Sequence, residues 1–372
     1  MIKRIRTAAA VLAGAALIAS CGTETDEPSD SGLSEVVISG YGTATSSYAE
    51  LAAVAESITR SEGVQFRIIP SDTGVGRLQP LAEGTANFSR TGDEYWYAFE
   101  AMHEYASPEW GPQQLRIVWT PVSLVSFITT SDSGISSPED LAGKRVPRVS
   151  ANPSADSKVL ALLASAGLTR DDTTPVDIGY GDQPDALQTG QIDVMIMSTD
   201  SPSISEMESA VEVDWLELDP SDPQLISAFE EYAPAVRIDE FSGRPGQNDG
   251  ETDNGMYYPL PIVTYSDRSN EDAYEMTRMI VENYPDYESA TNMNYLWSAD
   301  EVPLVPTVVP FHEGTIQYLE EEGMWSEEAQ ARQDELLQRE ESLQEGWQEV
   351  VDTADSAELP EAWENWRQEN LA

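Results

Sequence analysis

The chain has 372 residues, 40% of them hydrophobic, enough for one or two domains with real cores. Acids outnumber bases 67 to 20, a formal charge of −47, and a surface that acidic repels nucleic acid and anionic lipid, so both are set aside as partners. Nine Trp, fifteen Tyr and regular apolar runs argue against disorder, and an acid-rich, lysine-poor exterior suits work in high salt, where screening weakens self-repulsion.

The N-terminus carries an address signal. Lys3, Arg4 and Arg6 precede "AAAVLAGAALIA", an apolar stretch too short to span a bilayer comfortably. It ends in Ile18-Ala19-Ser20-Cys21, which resembles a bacterial lipobox, where cleavage before Cys21 exposes the residue that is lipidated. The expectation is a signal peptide over residues 1–20, lipidation at Cys21 and a polar tether over 21–34. Cys21 is the only cysteine, so the chain forms no internal disulfide. No other membrane span is read, which puts the body outside the cytoplasm, at the outer face of the cell membrane or in the periplasm, touching the membrane only through the lipid.

From residue 35 onward, short apolar strands alternate with amphipathic helices, which predicts an α/β fold. Val36–Ile38 reads as a strand. Residues 47–60 read as a helix, with Ser47-x-x-Glu50 as a capping box and Leu51, Val54, Ala55 and Ile58 as the buried stripe. Then come the strand "VQFRII", the short helix "RLQPLAEG" and the strand "ANFSR". The β-rich run 115–132 is long enough to pass from one lobe to another. A second unit repeats the strand, polar loop, helix, strand logic, through "SSPEDLAGKRV", "SANPSADSKVLALLASAGL", "VDIGY", "QPDALQTG" and "IDVMIM". Residues 242–256 read as a long Gly/Asp/Asn loop, and "YYPLPIVTY" as a run that crosses back. The spacing of Leu336, Leu343, Trp347 and Val350 predicts a helical extension over 326–372, docked on the body.

Catalytic signatures are absent. His103 and His312 are the only histidines, and there is no H-E-x-x-H, no G-x-S-x-G and no phosphate-binding loop of the Walker type. The chain is therefore not expected to be an enzyme, and neither metal nor cofactor is implied. "SGYGTATSSYAEL" falls short of a dinucleotide fingerprint, with Thr45 in the third glycine's place. What stands out is four hydroxyl-rich loops, each before a helix: around Thr43, Ser46 and Tyr48; Ser71 and Thr73; Asn152, Ser154 and Ser157; and Thr199 and Asp200. Helix N-termini suit an anionic ligand, although the same residue types also serve as ordinary caps. Two loops in each half imply a shared cleft. Arg90 follows the third strand, where its guanidinium is expected to anchor a carboxylate.

The residues also carry a family resemblance. "GYGTATSSYAELA", "ISSPEDLAGKRV", "LLASAGLTRDD", "ALQTGQIDVMIMSTDSP", "RPGQN" and "PFHEGTIQYLEEEGMW", in that order over residues 35–325, resemble the TAXI group of solute-binding subunits of tripartite ATP-independent (TRAP) transporters. The resemblance implies a periplasmic-binding-protein type II architecture: lobe 1 from 35–122 and 262–325, lobe 2 from 123–261, and a hinge between them. It implies capture of a small organic anion, such as a dicarboxylate or an amino acid like glutamate, and delivery to TRAP permease subunits driven by an ion gradient. By position it carries Thr43, Ser46 and Tyr48, then Ser71 and Thr73, then Asn152, Ser154 and Ser157 onto the family's cleft loops. The chain departs from the pattern at Asp72 and Val75, in its glycine-poor "NPSADS", and at Arg90-Thr91-Gly92-Asp93. A subunit of an ABC importer, which shares the fold, and an exported two-carboxylate hydrolase are the other readings.

Overall fold

The computed structural model describes residues 33–43, 45–149 and 152–371; the expected signal peptide and Cys21 lie outside them. The α/β expectation holds. Strands β1 (Glu35–Tyr41), β2 (Gln65–Ser71), β3 (Phe88–Arg90) and β4 (Leu115–Trp119) join one sheet. Between them lie helices α1 (Ser46–Glu62), α2 (Gly74–Ala82) and α3 (Glu94–Glu100). The chain then enters a second sheet through β5 (Val122–Thr130) and makes the parallel pair β6 (Arg145–Arg148) and β7 (Thr174–Asp177), connected by α4 (Pro153–Ser165). After α5 (Gln183–Gln188) come β8 (Met195–Ser198), α6 (Pro202–Glu208), β9 (Val213–Trp215), α7 (Pro223–Tyr232), β10 (Arg237–Ser242) and β11 (Thr252–Pro259). Strand β12 (Ile262–Tyr265) returns to the first sheet, followed by α8 (Asn270–Glu282), α9 (Tyr284–Tyr287) and α10 (Glu313–Glu321).

The first sheet has the order β2-β1-β3-β12-β4, with β1, β2 and β3 parallel and β12 antiparallel to both neighbours. The second has the order β10-β11-β5-β8, with β9 also on β5, and every pair is antiparallel. The second unit repeats the strand, loop, helix, strand order and the parallel pairing of the first in β6, α4 and β7, but as a separate two-stranded sheet beside the antiparallel one. Residues 252–256 are strand rather than loop, because β11 pairs with β10 from Thr252 onward. Both sheets are covered by apolar clusters: Val36, Ile38, Phe88 and Ile262 pack with α1 and α8, and Tyr97, Leu115, Ile117 and Phe311 form another core of the first lobe. Val125, Phe127, Leu162 and Phe229 fill one core of the second lobe, and Leu124, Ile128, Met195 and Trp215 another.

The C-terminal segment forms α11 (Glu327–Val351) and α12 (Leu359–Asn370). Leu336, Leu343, Trp347 and Val350 are all buried, and the last three join the core of the first lobe together with Leu359 and Trp363.

Helix α1 starts two residues before the Ser47 box, because Thr45 caps it: Oγ1 accepts from the Tyr48 N–H at 3.1 Å. That puts Glu50 beyond capping reach, free to turn inward. Leu51, Val54, Ala55 and Ile58 are the buried stripe expected of it. Helix α10 is capped by His312, whose Nδ1 accepts from the Gly314 N–H at 3.1 Å while Nε2 faces the Arg268 carbonyl at 3.1 Å. Only the neutral ring with its proton on Nε2 satisfies both contacts. Burial lowers the pKa of this imidazole, and the cations Arg116 and Arg268 add to that. A histidine whose folded pKa is depressed stabilises fully above its unfolded value near 6.5, and that stability is lost as pH falls below it. Unfolding free energy is therefore expected to decline between pH 7.5 and 5.5, and His312→Asn, which keeps a capping oxygen, to flatten that slope. An unchanged slope in chemical denaturation at the two pH values would refute the assignment.

Candidate functional site

The sequence that follows β3 turns the chain towards the second lobe. Gly92 is required there: a Cβ on it would lie 2.6 Å from the Tyr41 hydroxyl and 3.0 Å from Glu94 Oε2. Asp93 stands at the N-cap of α3 but makes no cap hydrogen bond. Its Oδ2 reaches across to α4, accepting from Lys158 Nζ at 2.5 Å and from Ser154 Oγ at 2.7 Å. Asn152 opens α4 as an ordinary cap, taking the Ala155 N–H on Oδ1 at 3.1 Å. Ser154, Ser157 and Lys158 then share one face by their i, i+3, i+4 spacing. Lys158 is 1% exposed. Besides Asp93, its ammonium donates to the Ser154 hydroxyl and carbonyl and lies 4.0 Å from the Tyr258 ring centroid. Tyr97 adds a second link between the lobes, donating from its hydroxyl to Ser157 Oγ at 3.2 Å.

Behind this contact lies a buried pair of the first lobe. Arg77 donates to Glu94 Oε1 at 2.6 Å, and Glu94 Oε2 accepts from the Gly92 N–H at 2.8 Å and the Thr91 hydroxyl at 3.0 Å. Burial alone would raise the Glu94 pKa; Arg77 and these donors outweigh it and hold the carboxyl below its usual range. The Arg77 guanidinium sits 4.1 Å from the Tyr41 ring centroid. Burial pushes the phenol of Tyr258, on β11, well above its usual pKa, with Tyr41, Tyr180, Asp93 and Glu94 adding to the effect. Lys158, on Asp93 and over the Tyr258 ring, and Arg77, on Glu94 and over the Tyr41 ring, make a polar core between the lobes. At its second-lobe side the Tyr180 hydroxyl accepts from the Ser198 N–H at 3.1 Å, burial pushes that phenol up to about 12, and Ser198 Oγ is buried without a hydrogen-bond partner among the described residues.

An open cavity of about 700 Å³ adjoins the second lobe, lined among others by Thr199, Asp200, Ser201, Arg244, Asn248 and Asn292. Arg244 donates from Nε to Thr199 Oγ1 at 3.3 Å and pairs with Asp200 Oδ2 at 3.3 Å. It also reaches Met293 Sδ of the first lobe at 3.9 Å. Burial raises the Asp200 pKa; Arg244 opposes this and the charge of Glu50 reinforces it.

The residues expected from the sequence divide into three groups. Ser154 and Ser157 meet the opposite lobe, and Thr199 and Asp200 line the open cavity. Thr73 and Asn152 are helix caps, and Ser71 bonds only to the adjacent backbone of Thr73. Thr43 is exposed and Ser46 and Tyr48 are half-buried at the start of α1, where Thr45 makes the cap. Arg90, expected to anchor a carboxylate of the ligand, holds a carboxylate of the chain itself. Its guanidinium is fully buried, pairs with Glu50 Oε2 at 2.6 Å, donates to the Ser47 carbonyl and lies 4.6 Å from the Trp297 ring centroid. Trp297 Nε1 donates to the same Glu50 oxygen at 3.2 Å. These contacts tie α1 to β3 and to the 294–297 turn. Lys158, Asp93, Arg77, Glu94 and Arg244 were missed. The scarcity of lysine was a signal for Lys158, and Asp93 stands in the stretch that departs from the family pattern.

The profile of the NMT1-like family matches residues 41–323. No curated protein sequence matches the chain. Among solved structures it is similar to a putative periplasmic sulfonate-binding protein of an ABC transporter from Methylobacillus flagellatus, at 16% identity over 78% of this chain and 96% of that one, with a TM-score of 0.48. It is also similar to a binding protein of an ABC phosphonate transporter from Pseudomonas aeruginosa, at 11% identity over 84% and 97%, with a TM-score of 0.45. A putative L-cystine ABC transporter protein from Listeria monocytogenes gives 14% identity over 71% and 95%, with a TM-score of 0.43.

Proposed function

The chain belongs to the NMT1-like family, and from that premise we propose that it is an extracytoplasmic solute-binding protein. It captures a small organic anion between its two lobes and delivers it to the membrane subunits of a TRAP transporter. The observation that carries this reading is the polar core between the lobes, in which Asp93 and Tyr97 of the first meet Ser154, Ser157 and Lys158 of the second. Buried polar groups cost free energy unless they are paired, and a few convergent polar groups in a cleft are what fix a small ligand. The chain crosses between sheets only at residues 119–122 and 259–262, two short extended connections suited to a hinge. Two α/β lobes joined in this way match the periplasmic-binding-protein type II architecture that the sequence resemblance implies. Among the described residues no helix is long and apolar enough to cross a membrane, and the lipid on Cys21 would hold the protein to the outer face.

A ligand that favours the closed form raises apparent stability by about 2.7 kcal/mol at a hundred times its Kd. A thermal-shift screen of carboxylates and amino acids in high salt is expected to give at least one clear stabilisation, and a screen with none would defeat the reading. Uptake into vesicles carrying the permease is expected to need an ion gradient; a requirement for ATP hydrolysis would transfer the protein to an ABC importer.

A further inference from the structure

Four cation–carboxylate pairs surround the region between the lobes, and each cation there already holds a carboxylate. Arg77–Glu94 and Arg90–Glu50 lie within the first lobe, and Arg244–Asp200 within the second. Lys158–Asp93 is the only ion pair that joins the lobes among the described residues. Parting the lobes therefore separates this pair and leaves the other three intact. Its two halves leave with different company. Lys158 stays at the amino end of α4 beside the Ser154 and Ser157 hydroxyls, a set of donors suited to one carboxylate. Asp93 leaves with α3 as an acceptor without a cation, because Arg77 remains held by Glu94. The open cleft thus presents one cation with its hydroxyls and, facing them, one carboxylate in need of a donor.

We propose that the solute carries a single carboxylate with a hydrogen-bond donor beside it, a 2-hydroxy or 2-amino acid. Its carboxylate takes the place of Asp93 on Lys158, and its hydroxyl or ammonium takes the place of Lys158 on Asp93. The inference rests on the solute-binding reading above and narrows it. A dicarboxylate fits badly, since its second carboxylate faces Asp93 with no free cation left to neutralise it, and like charges in a desolvated site repel strongly. A plain monocarboxylate satisfies Lys158 but brings no donor to the Asp93 carboxylate, which is costly in a closed cleft.

The test is calorimetric titration of the purified protein in high salt with two matched series. One is lactate, alanine, propionate and malonate; the other is 2-hydroxypentanoate, norvaline, pentanoate and glutarate. In at least one series a donor-bearing monocarboxylate is expected to bind about tenfold or more tighter than both the plain acid and the diacid, the range in which one misplaced charge or unpaired polar group decides specificity. Equal or tighter binding of the diacid or the plain acid overturns the inference and leaves the solute-binding function standing. No binding by any of the eight acids tells against the function itself. Asp93→Asn is expected to shrink the preference and let the diacid gain, while Lys158→Met abolishes binding of every acid; a uniform loss across ligands in Asp93→Asn would reduce Asp93 to a structural role. The selectivity of the unmodified protein decides the matter even if neither variant folds.

Discussion

Truncation after Trp325 is expected to leave a chain that does not reach the native state, although the family match ends at residue 323. Helices α11 and α12 complete one core of the first lobe. Leu343, Trp347, Val350, Leu359 and Trp363 share a core with Tyr97, Phe99, Tyr105, Leu115 and Ile117. Trp347 and Trp363 meet edge to face at 5.1 Å, and Trp363 and Trp366 stack at 5.2 Å. Polar groups depend on the extension as well. Arg116 forms a two-pronged pair with Glu340, at 2.5 and 3.0 Å. Glu100 at the end of α3 is held by Arg339 and Arg367, and its carbonyl accepts from Trp363 Nε1 at 2.8 Å. Gln333 closes both backbone groups of Phe311. Removing one partner of a buried pair costs about 3–5 kcal/mol, and deleting a buried Trp side chain about as much. Either sum approaches the roughly 5–15 kcal/mol that holds a whole domain. Glu340→Ala and Trp363→Ala should each lower the urea midpoint strongly, and the truncated chain should show no cooperative transition in circular dichroism. A truncated chain with a transition within about 1 kcal/mol of the full protein would overturn this account.

Much of this was legible in the sequence because it is local. The buried stripe of α1 and the helical spacing of Leu336, Leu343, Trp347 and Val350 depend only on residues a turn or two apart, and both hold. The errors fall where a local signal competes with a distant partner. Ser47 and Glu50 have the spacing of a capping box, but Thr45 starts the helix earlier, and Glu50 is drawn inward by a cation forty residues away. Residues 252–256 look like a polar loop and become strand because β10 lies beside them. The candidate site was half visible for the same reason. Hydroxyls before helices are readable, yet Thr73 and Asn152 serve the helix while Ser154 serves the opposite lobe, and only tertiary contact separates the two uses. Among 67 acids, only its place in a stretch that departs from the family pattern sets Asp93 apart, and that does not pair it with Lys158.

The second large effect concerns Arg90, where sequence logic and structure part most sharply. Arg90→Ala is expected to destabilise the protein by about 3–5 kcal/mol, since it strands the Glu50 carboxylate in a dry site with Trp297 Nε1 as its remaining side-chain donor. Glu50→Ala should cost a similar amount, leaving the guanidinium with only the Ser47 carbonyl and the Trp297 face. The double variant Arg90→Met/Glu50→Leu replaces the pair by apolar groups of similar volume and is expected to recover most of the loss, because the attraction within a buried pair barely exceeds the cost of desolvating it. The cycle also separates structure from binding. If Arg90 braces α1 against β3 and the 294–297 turn, the folded double variant should bind the same acid within about threefold of the unmodified protein, less than 1 kcal/mol. A double variant that melts normally yet binds about a hundredfold more weakly would return Arg90 to the ligand and shift the charged anchor away from Lys158.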